Sequence, residues 1–192
     1  MNHSSFLTDS ELKQIGFKVY GKNVRISRFS SIYSPEKIEL GSNIRIDDFT
    51  ILSGGAGIVI GNYVHIGSYS ALYGGAGIKM KDFSNISTRA ALFSECDSIS
   101  GKSLLSAVVP REWKNQYKSG PIVLKKHAGV GTNSTIMPKV TLREGAILCS
   151  HSLAIRTCSA WMISGGVPAK SLRKRFKDIQ QLEQDFLKAQ GS

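Results

Sequence analysis

Two consecutive hexads, Ile60-Gly61-Asn62-Tyr63-Val64-His65 and Ile66-Gly67-Ser68-Tyr69-Ser70-Ala71, decide the fold of this chain. Each hexad begins with a large aliphatic residue and carries a small or β-branched residue at its fifth position. The same spacing runs from Tyr20 to about Ala154. Its first positions are Tyr20, Ile26, Ile32, Leu40, Ile46, Leu52, Ile60, Ile66, Leu72, Met80, Ile86 and Leu92 and, after a break, Leu124, Val130, Ile136, Leu142 and Leu148.

Three hexads and two further residues make a longer repeat that returns the chain to Tyr20, Leu40, Ile60 and Met80. A repeat of this length predicts one turn of a three-sided solenoid, in which the large residue fills the interior. No single short strand can bury its apolar side alone, so neighbouring turns must stack. An ordinary β-sandwich would require an alternation of period two, which the sequence lacks.

This pattern resembles the left-handed parallel β-helix acyltransferases, the hexapeptide-repeat family that includes galactoside, maltose and serine acetyltransferases and the N-acetyltransferases of nucleotide-linked amino sugars. The resemblance covers about residues 17–175, and residues 162–170 are similar to the closing segment of that family. Left-handedness follows from the resemblance alone. Residues 43–49 and 61–66 are similar to bacterial surface-polysaccharide acetyltransferases, among them the dTDP-viosamine (4-amino-4,6-dideoxyglucose) type.

The fold class predicted here is an all-β solenoid, a left-handed parallel β-helix with a short N-terminal helix, one protruding loop and a C-terminal helix. We expect one acyltransferase domain over residues 1–192, with a cap over 1–19, the β-helix over 20–160 and a C-terminal segment and helix over 161–192. The repeat vanishes between residues 94 and 121, which predicts the loop. A loop of this length on a rigid scaffold is more often functional than decorative.

Two helices are predicted from local signals. Thr8 and Glu11 have the spacing of a capping box and predict a helix over residues 8–15, whereas residues 1–6 are expected to be loose. Apolar residues at three- and four-residue spacing predict a second helix over residues 171–190; they are Leu172, Phe176, Ile179, Leu182 and Phe186.

The composition restricts the class of partner. A formal net charge of +11 favours anionic partners. The basic residues are not interleaved with aromatic residues and form no nucleic-acid motif, so coenzyme A phosphates and a nucleotide sugar account for the charge equally well. The cysteines, Cys96, Cys149 and Cys158, form no CxxC pair. Cys96 and Cys158 occupy small-residue positions of the repeat, which predicts buried thiols in a reducing cytosol. No apolar run is long enough to span a membrane, which predicts a soluble cytoplasmic bacterial protein.

Acyl transfer to a hydroxyl or amine requires a base for the acceptor proton, and histidine suits this role. His127 is the first candidate because the stacking of turns should place it above Phe83 and Tyr63, directly after the loop. A packing role for His127 remains the alternative. His65 is expected to point outward at the edge of a turn, and His3 falls in the loose start.

The loop contains no histidine, although many family members carry their base there. Asp97 is therefore a candidate to orient the acceptor or, with Glu95, to act as the base. The absence of a loop histidine favours an amine acceptor, because a neutral amine is itself a nucleophile.

The resemblance implies acetyl-CoA as cosubstrate, with its pantetheine arm lying between the late turns of two subunits of a homotrimer. The matching positions are Thr132, Ser150, Arg156 and Lys170, with Arg173 as a further possibility. Ile155 stands where relatives carry a threonine, so one hydroxyl contact is missing. No nucleophile arrangement and no metal-ligand spacing occur, which predicts direct transfer without a metal.

These observations predict a homotrimeric, acetyl-CoA-dependent acetyltransferase that acts on a sugar. The favoured acceptor is a dTDP-linked 4-amino-4,6-dideoxyhexose destined for O-antigen or another surface polysaccharide. One alternative is O-acetylation of a sugar hydroxyl. Another is a β-helix that binds a metal between subunits or has no catalytic role.

Overall fold

A computed structural model describes residues 5–190 and shows a three-sided prism of parallel strands. The first face contains β1 (Val19–Tyr20), β4 (Ile38–Leu40), β7 (Ile58–Ile60), β10 (Ile78–Met80), β15 (Ile122–Leu124) and β18 (Thr141–Leu142). The second face contains β2 (Val24–Ile26), β5 (Ile44–Ile46), β8 (Val64–Ile66), β11 (Asn85–Ile86), β16 (Gly129–Val130), β19 (Ile147–Leu148), β21 (Met162–Gly166) and β22 (Ala169–Lys174). The third face contains β3 (Ser31–Tyr33), β6 (Ile51–Ser53), β9 (Ala71–Tyr73), β12 (Ala91–Phe93), β17 (Thr135–Ile136) and β20 (Leu153–Ala154).

The predicted solenoid is confirmed, because the hexad residues point into the prism. Ile46 pairs with Ile66 on the neighbouring turn, and both side chains are completely buried. The pairing of Met80 with Leu124 shows that the core resumes in register after the loop. Identical aliphatic positions therefore stack along the axis, and each buried side chain contributes about 1.5–3 kcal/mol of transfer free energy.

The corner between the first and second faces, called the first corner, is held by a ladder of side chains. Asn62 Oδ1 accepts a hydrogen bond from the Ser42 backbone N–H of the preceding turn at 2.8 Å, and Asp82 Oδ1 does the same for Asn62. A Cβ atom at Gly41 would lie 2.8 Å from the backbone carbonyl of Gly61, so the stacking of turns excludes a larger residue there.

The predicted N-terminal helix is confirmed, and regular structure begins two residues before its capping residue, Thr8. Helix α1 (Asp9–Ile15) carries the Thr8 and Glu11 capping box. Residues 5 and 6 are not loose, because Phe6 bridges to Ser27 and the chain covers the unpaired edge of the first turn. His3 lies outside the described residues.

The loop leaves the third face after β12 and returns at β15, as predicted. It contains the antiparallel pair β13 (Glu95–Asp97) and β14 (Tyr117–Ser119) and a short 3-10 helix over Arg111–Trp113. A second 3-10 helix, Pro35–Lys37, lies in the first turn.

The predicted C-terminal helix is wrong in its first half. Residues 169–174 form β22, which pairs antiparallel with β21, and helix α2 (Ile179–Gln190) begins later. The last turn leaves β21 at an edge of the second face, and hydrogen bonding to that edge outweighs the helical spacing of the apolar residues. Leu172 and Phe176 are accordingly 62% and 81% exposed and do not belong to a packed stripe.

The cysteines are all reduced, and their environments differ. Cys158 is buried, and burial raises the pKa of its thiol. Cys96 and Cys149 are half-buried, so the prediction of a buried thiol is confirmed for Cys158 and wrong for Cys96.

Candidate active site

Helix α2 lies over the first corner, where aromatic rings are stacked along the prism. The rings of Tyr63 and Phe83 are 4.8 Å apart, and those of Phe83 and His127 are 5.5 Å apart. Phe186 of α2 contacts Tyr63 edge-on at 5.3 Å. The predicted position of His127 above Phe83 and Tyr63 is therefore confirmed.

His127 is enclosed by this packing. Its Nε2–H donates to Glu183 Oε2 at 2.8 Å, and Lys126 Nζ lies 2.6 Å from the other oxygen of Glu183. The His127 side chain is 1% exposed, and its Nδ1 is buried without a hydrogen-bond partner among the described residues. Arg175 donates to the backbone oxygen of His127 at 2.8 Å. This geometry favours the packing role of His127 over the catalytic one.

The electrostatics of the pair stabilise the charged form of Glu183. Burial raises the pKa of this carboxyl group, but hydrogen bonds and charges from Lys126 and His127 outweigh burial and hold the pKa below its ordinary value. A carboxylate that is ionised at neutral pH thus fixes both α2 and the imidazole.

The outer surface of the second face is less covered. Its central row consists of residues that pair side by side on successive strands, namely Arg25, Arg45, His65, Asn85, Gly129 and Ile147. Arg25 and Arg45 make the N-terminal end of this row cationic, whereas the half that follows Asn85, Gly129 and Ile147, is uncharged.

His65 has a carboxylate partner that the sequence analysis missed. Its Nε2–H donates to Asp47 Oδ2 at 2.7 Å, and Arg45 Nε donates to Asp47 Oδ1 at 2.6 Å. Burial raises the pKa of Asp47, but these two hydrogen bonds and charges outweigh it and lower the pKa. The His65 side chain is 44% exposed, so its ring is accessible. Asp47 lies two residues after Arg45, the residue that pairs directly with His65 on the neighbouring turn. Asp47 and His65 are therefore diagonal neighbours, which is a signal that the repeat contains.

A groove of about 440 Å³ follows on the uncharged half. Gly129 and Gly131 line its floor, and Asn85, Ser87 and Ser150 lie around it. Because these residues are small, an extended chain could lie along the face close to the backbone. Of these residues, only Ser150 is a candidate predicted from the sequence.

Three of the candidate coenzyme residues lie near this groove, and one of them, Ser150, lines it. Thr132 and Ser150 belong to neighbouring turns of the corner between the second and third faces, called the second corner, where the next residue, His151, donates its backbone N–H to Thr132 at 2.8 Å. Lys170 pairs with Gly165 at the same end of the second face. Arg173 lies farther along β22, opposite Ile163.

Arg156 is separate from this group. It follows β20 at the corner between the third and first faces, called the third corner, and is exposed. In one protomer it is a whole face away from Thr132 and Ser150.

A cleft of about 280 Å³ separates α2 from the second face. Its walls are largely apolar and include Tyr63, Phe83, Leu182 and Phe186, whereas His65 and Asn85 supply polar groups. Asn85 borders both this cleft and the groove. The two cavities therefore meet at the strand beside His65.

Asp97 lies in the loop at the third corner, close to the first and third faces. Its Oδ2 accepts a hydrogen bond from Ser106 N at 3.1 Å, and Lys114 Nζ lies 3.3 Å from Oδ1. Glu95 accepts a hydrogen bond from Ser119 Oγ at 2.9 Å. Burial and the nearby carboxylates of Glu95 and Asp97 raise the pKa of Tyr117. The loop thus holds a compact charged cluster.

The candidate residues are not gathered at one edge of the protomer. His127 lies at the first corner, Thr132 and Ser150 at the second, and Asp97 and Arg156 at the third. Across residues 5–190, no three histidine, cysteine, aspartate or glutamate side chains are grouped to hold a metal ion. Within the same range, no helix has the length and apolarity to cross a membrane.

Known proteins match the chain over nearly its full length. No family model matches it. A dTDP-4-amino-4,6-dideoxy-D-glucose acyltransferase from Escherichia coli is 38% identical over 183 residues, which is 95% of each chain. AntD, an N-acyltransferase from Bacillus cereus in complex with dTDP and 3-hydroxybutyryl-CoA, superposes with a TM-score of 0.96 at 44% identity and covers 99% of this chain and 100% of its own.

A serine-to-alanine variant of AntD in complex with dTDP-4-amino-4,6-dideoxyglucose and coenzyme A also matches, with a TM-score of 0.94 and 44% identity over 97% of this chain and all of its own. The prism matches the left-handed β-helix of these enzymes, which confirms the predicted fold class. The chain belongs to the hexapeptide-repeat acyltransferases, in the family of the dTDP-4-amino-4,6-dideoxyglucose acyltransferases.

Proposed function

We propose that this protein transfers an acetyl group from acetyl-CoA to the amino group of a dTDP-linked 4-amino-4,6-dideoxyhexose. The observation that carries the proposal is the end-to-end match with AntD, which binds dTDP-4-amino-4,6-dideoxyglucose and coenzyme A. The net charge of +11 fits two substrates that carry phosphate groups. Residues 1–192 act as one acyltransferase domain in this proposal.

The groove on the second face is the proposed place of the pantetheine arm. Ser150 lines its last turn, Thr132 follows Gly131 on the middle turn, and Lys170 lies beyond the turn of Ser150; we propose all three as coenzyme contacts. Neighbouring strands are about 4.8 Å apart, so the groove extends over roughly 10 Å from the turn of Ser150 to that of Asn85. An arm in this position would bring the thioester toward Asn85 and Ser87.

The complete site is proposed to form between copies in a homotrimer. Asp97 and Arg156 lie at the third corner and reach a coenzyme at the second corner only when they come from a neighbouring copy. The loop also exposes large apolar side chains, with Ile99, Val108 and Trp113 at 87%, 89% and 65% exposure. Their burial against a second copy would stabilise the assembly. Light scattering should give the mass of three chains.

The acceptor amine attacks the thioester directly in this proposal. Asp97 of the loop orients the acceptor, and Arg173 contacts a coenzyme phosphate. The product would serve an O-antigen or another bacterial surface polysaccharide, and the reaction would take place in the cytoplasm.

The acceptor is tested by incubating the protein with acetyl-CoA and either dTDP-4-amino-4,6-dideoxyglucose or the matched sugar with a hydroxyl at carbon 4. We expect acetylation of the amino sugar only. Turnover of the hydroxy sugar alone would overturn the amine assignment. The same assay with 3-hydroxybutyryl-CoA determines which acyl group is preferred.

The role of Asp97 is tested with Asp97→Asn, which preserves the shape of the side chain. We expect the KM for the amino sugar to rise at least tenfold, with the coenzyme Kd unchanged. Glu112→Gln is the matched control because Glu112 is an exposed acid in the same loop. Equal kinetics for both variants would exclude Asp97 from acceptor binding.

The coenzyme contacts are tested by measuring the Kd of coenzyme A for Ser150→Ala and Lys170→Ala, with Arg156→Ala and Arg173→Ala alongside. Weaker binding by the first two supports the groove. If only Arg156→Ala weakens binding, the coenzyme lies at the third corner instead.

A further inference from the structure

The C-terminal end of the prism carries a segment that is rich in cations and lacks acids. Residues 161–177 include lysines and arginines but no aspartate or glutamate. Arg175 is directed inward, because it donates to the backbone oxygens of His127 and Gly145 at 2.8 and 3.1 Å. The other basic residues of the segment are exposed, and among residues 5–190 none of them forms an ion pair; they are Lys170, Arg173, Lys174 and Lys177. Their charge is therefore not neutralised by a neighbouring carboxylate.

This segment forms the rim of the prism. Among residues 5–190, β22 is the last strand of the second face, so its outer edge has no further strand beside it. β22 pairs antiparallel with β21 over Ala169–Lys174, and the Arg175 backbone N–H donates to the Trp161 oxygen at 2.8 Å. The strand extends over roughly 20 Å at this end of the second face. We call residues 167–177 the C-terminal rim.

Large apolar side chains are exposed among the cations of the rim. Val167, Leu172 and Phe176 are 71%, 62% and 81% exposed. Lysine on an exposed strand edge is an ordinary protection against pairing with another chain and requires no partner. Leucine and phenylalanine do not contribute to that protection, and their contact with water is unfavourable. The rim therefore favours a partner that is both anionic and apolar.

An anionic phospholipid bilayer has both properties. Its headgroups attract lysine and arginine, and the boundary with its acyl chains takes up apolar side chains. Each cation near such a surface strengthens binding roughly fivefold. A nucleic acid offers the negative charge without an apolar layer, so Val167 and Leu172 would stay in water on its phosphate backbone. The combination of side chains favours the bilayer.

We propose that the C-terminal rim attaches the protein reversibly to the surface of an anionic phospholipid membrane. Lys174 and Lys177 contact the headgroups, and Leu172 and Phe176 enter the boundary with the acyl chains. The protein lies on the membrane in this arrangement and does not cross it. Cyclic symmetry in the proposed homotrimer would present three rims on the same side, which strengthens attachment through multiple contacts. The threefold presentation rests on the proposed function, whereas the attachment of each rim does not.

Sedimentation with vesicles tests the charge of the rim. We expect about tenfold stronger binding to vesicles with a third of phosphatidylglycerol than to pure phosphatidylcholine, and a loss of this difference at high salt. The double variant Lys174→Gln and Lys177→Gln should weaken binding to the anionic vesicles roughly twentyfold. Its matched control is Lys79→Gln with Lys81→Gln, which removes two exposed charges near the fourth turn and should leave binding unchanged. Equal binding to both kinds of vesicle, or equal binding by the two double variants, would overturn the proposal.

The apolar contribution is tested with Phe176→Ser. We expect binding to the anionic vesicles to weaken about fivefold, at low and at high salt alike. Tyr33→Ser is the control because Tyr33 is an exposed aromatic residue of the first turn, 58% exposed, and should have no effect. Binding to a DNA duplex without binding to vesicles would assign the rim to nucleic acid and contradict the proposal. These measurements require no turnover, so the attachment stands or fails independently of the acetylation of an amino sugar.

Discussion

The molecule contains two histidine–carboxylate pairs with nearly the same geometry and opposite surroundings. His127 lies 2.8 Å from Glu183, and His65 lies 2.7 Å from Asp47. The side chain of His127 is 1% exposed, whereas that of His65 is 44% exposed. The comparison shows that the same histidine–carboxylate pairing can either fix an imidazole inside the packed structure or hold it at an accessible surface.

The carboxylates of the two pairs come from different distances along the chain. Asp47 belongs to the turn before His65, whereas Glu183 belongs to a helix 56 residues after His127. Glu183 fixes α2 over the first corner, so the helix covers His127. Asp47 brings no such element with it, and His65 stays accessible on the second face.

The largest expected difference concerns stability. Replacing His127 by alanine removes a buried ring from the stack and leaves Glu183 with one partner, so His127→Ala should lower the free energy of unfolding by about 3 kcal/mol. His65→Ala breaks a half-exposed pair and should cost less than about 1 kcal/mol. Equilibrium denaturation measures both values. Similar losses would remove the distinction between the two regions.

Glu183→Gln should lower the free energy of unfolding by a smaller amount, about 1 kcal/mol near pH 7. Because the folded-state pKa of Glu183 is lowered, the stability it contributes is fully present above its ordinary pKa and is lost as the pH falls through the lower folded value. The difference between wild type and variant should therefore shrink below about pH 4. Stability measured at pH 7 and pH 3.5 tests this sign, and a difference that grows in acid would contradict it.

The smallest effects separate the covered aromatic stack from an exposed one. Phe83→Leu should lower the free energy of unfolding by about 1 kcal/mol, because the ring of Phe83 contacts both Tyr63 and His127. Phe49 stacks between Phe29 and Tyr69 at the second corner but is 49% exposed, so Phe49→Leu should cost about 0.5 kcal/mol. Thermal unfolding of both variants gives the comparison, and a larger loss for Phe49→Leu would contradict it.

Much of the fold was predictable because its rule is local and repeated. The buried hexad positions, the loop, α1 and the stacking of His127 on Phe83 all follow from spacing. β22 was missed because the unpaired edge of β21, absent from any local pattern, overrides helical spacing. The enclosure of His127 could not be predicted either, since it depends on where α2 docks.

The candidate site was less accessible to sequence analysis. Thr132, Ser150 and Lys170 lie near the groove, and their role in coenzyme binding stays a prediction. The pairing of His65 with Asp47 was not predicted, because direct stacking of turns places Arg45 beside His65, whereas Asp47 meets His65 diagonally. The roles of Asp97 and Arg156 also stay predictions, because they require the proposed assembly of several copies, which the sequence of one chain does not specify.

The most direct test is a crystal structure of the protein with coenzyme A and dTDP bound. We expect the coenzyme sulfur over the groove near Asn85 and Ser87, and His127 still enclosed by α2. A coenzyme sulfur beside His127, away from the groove, would contradict this account.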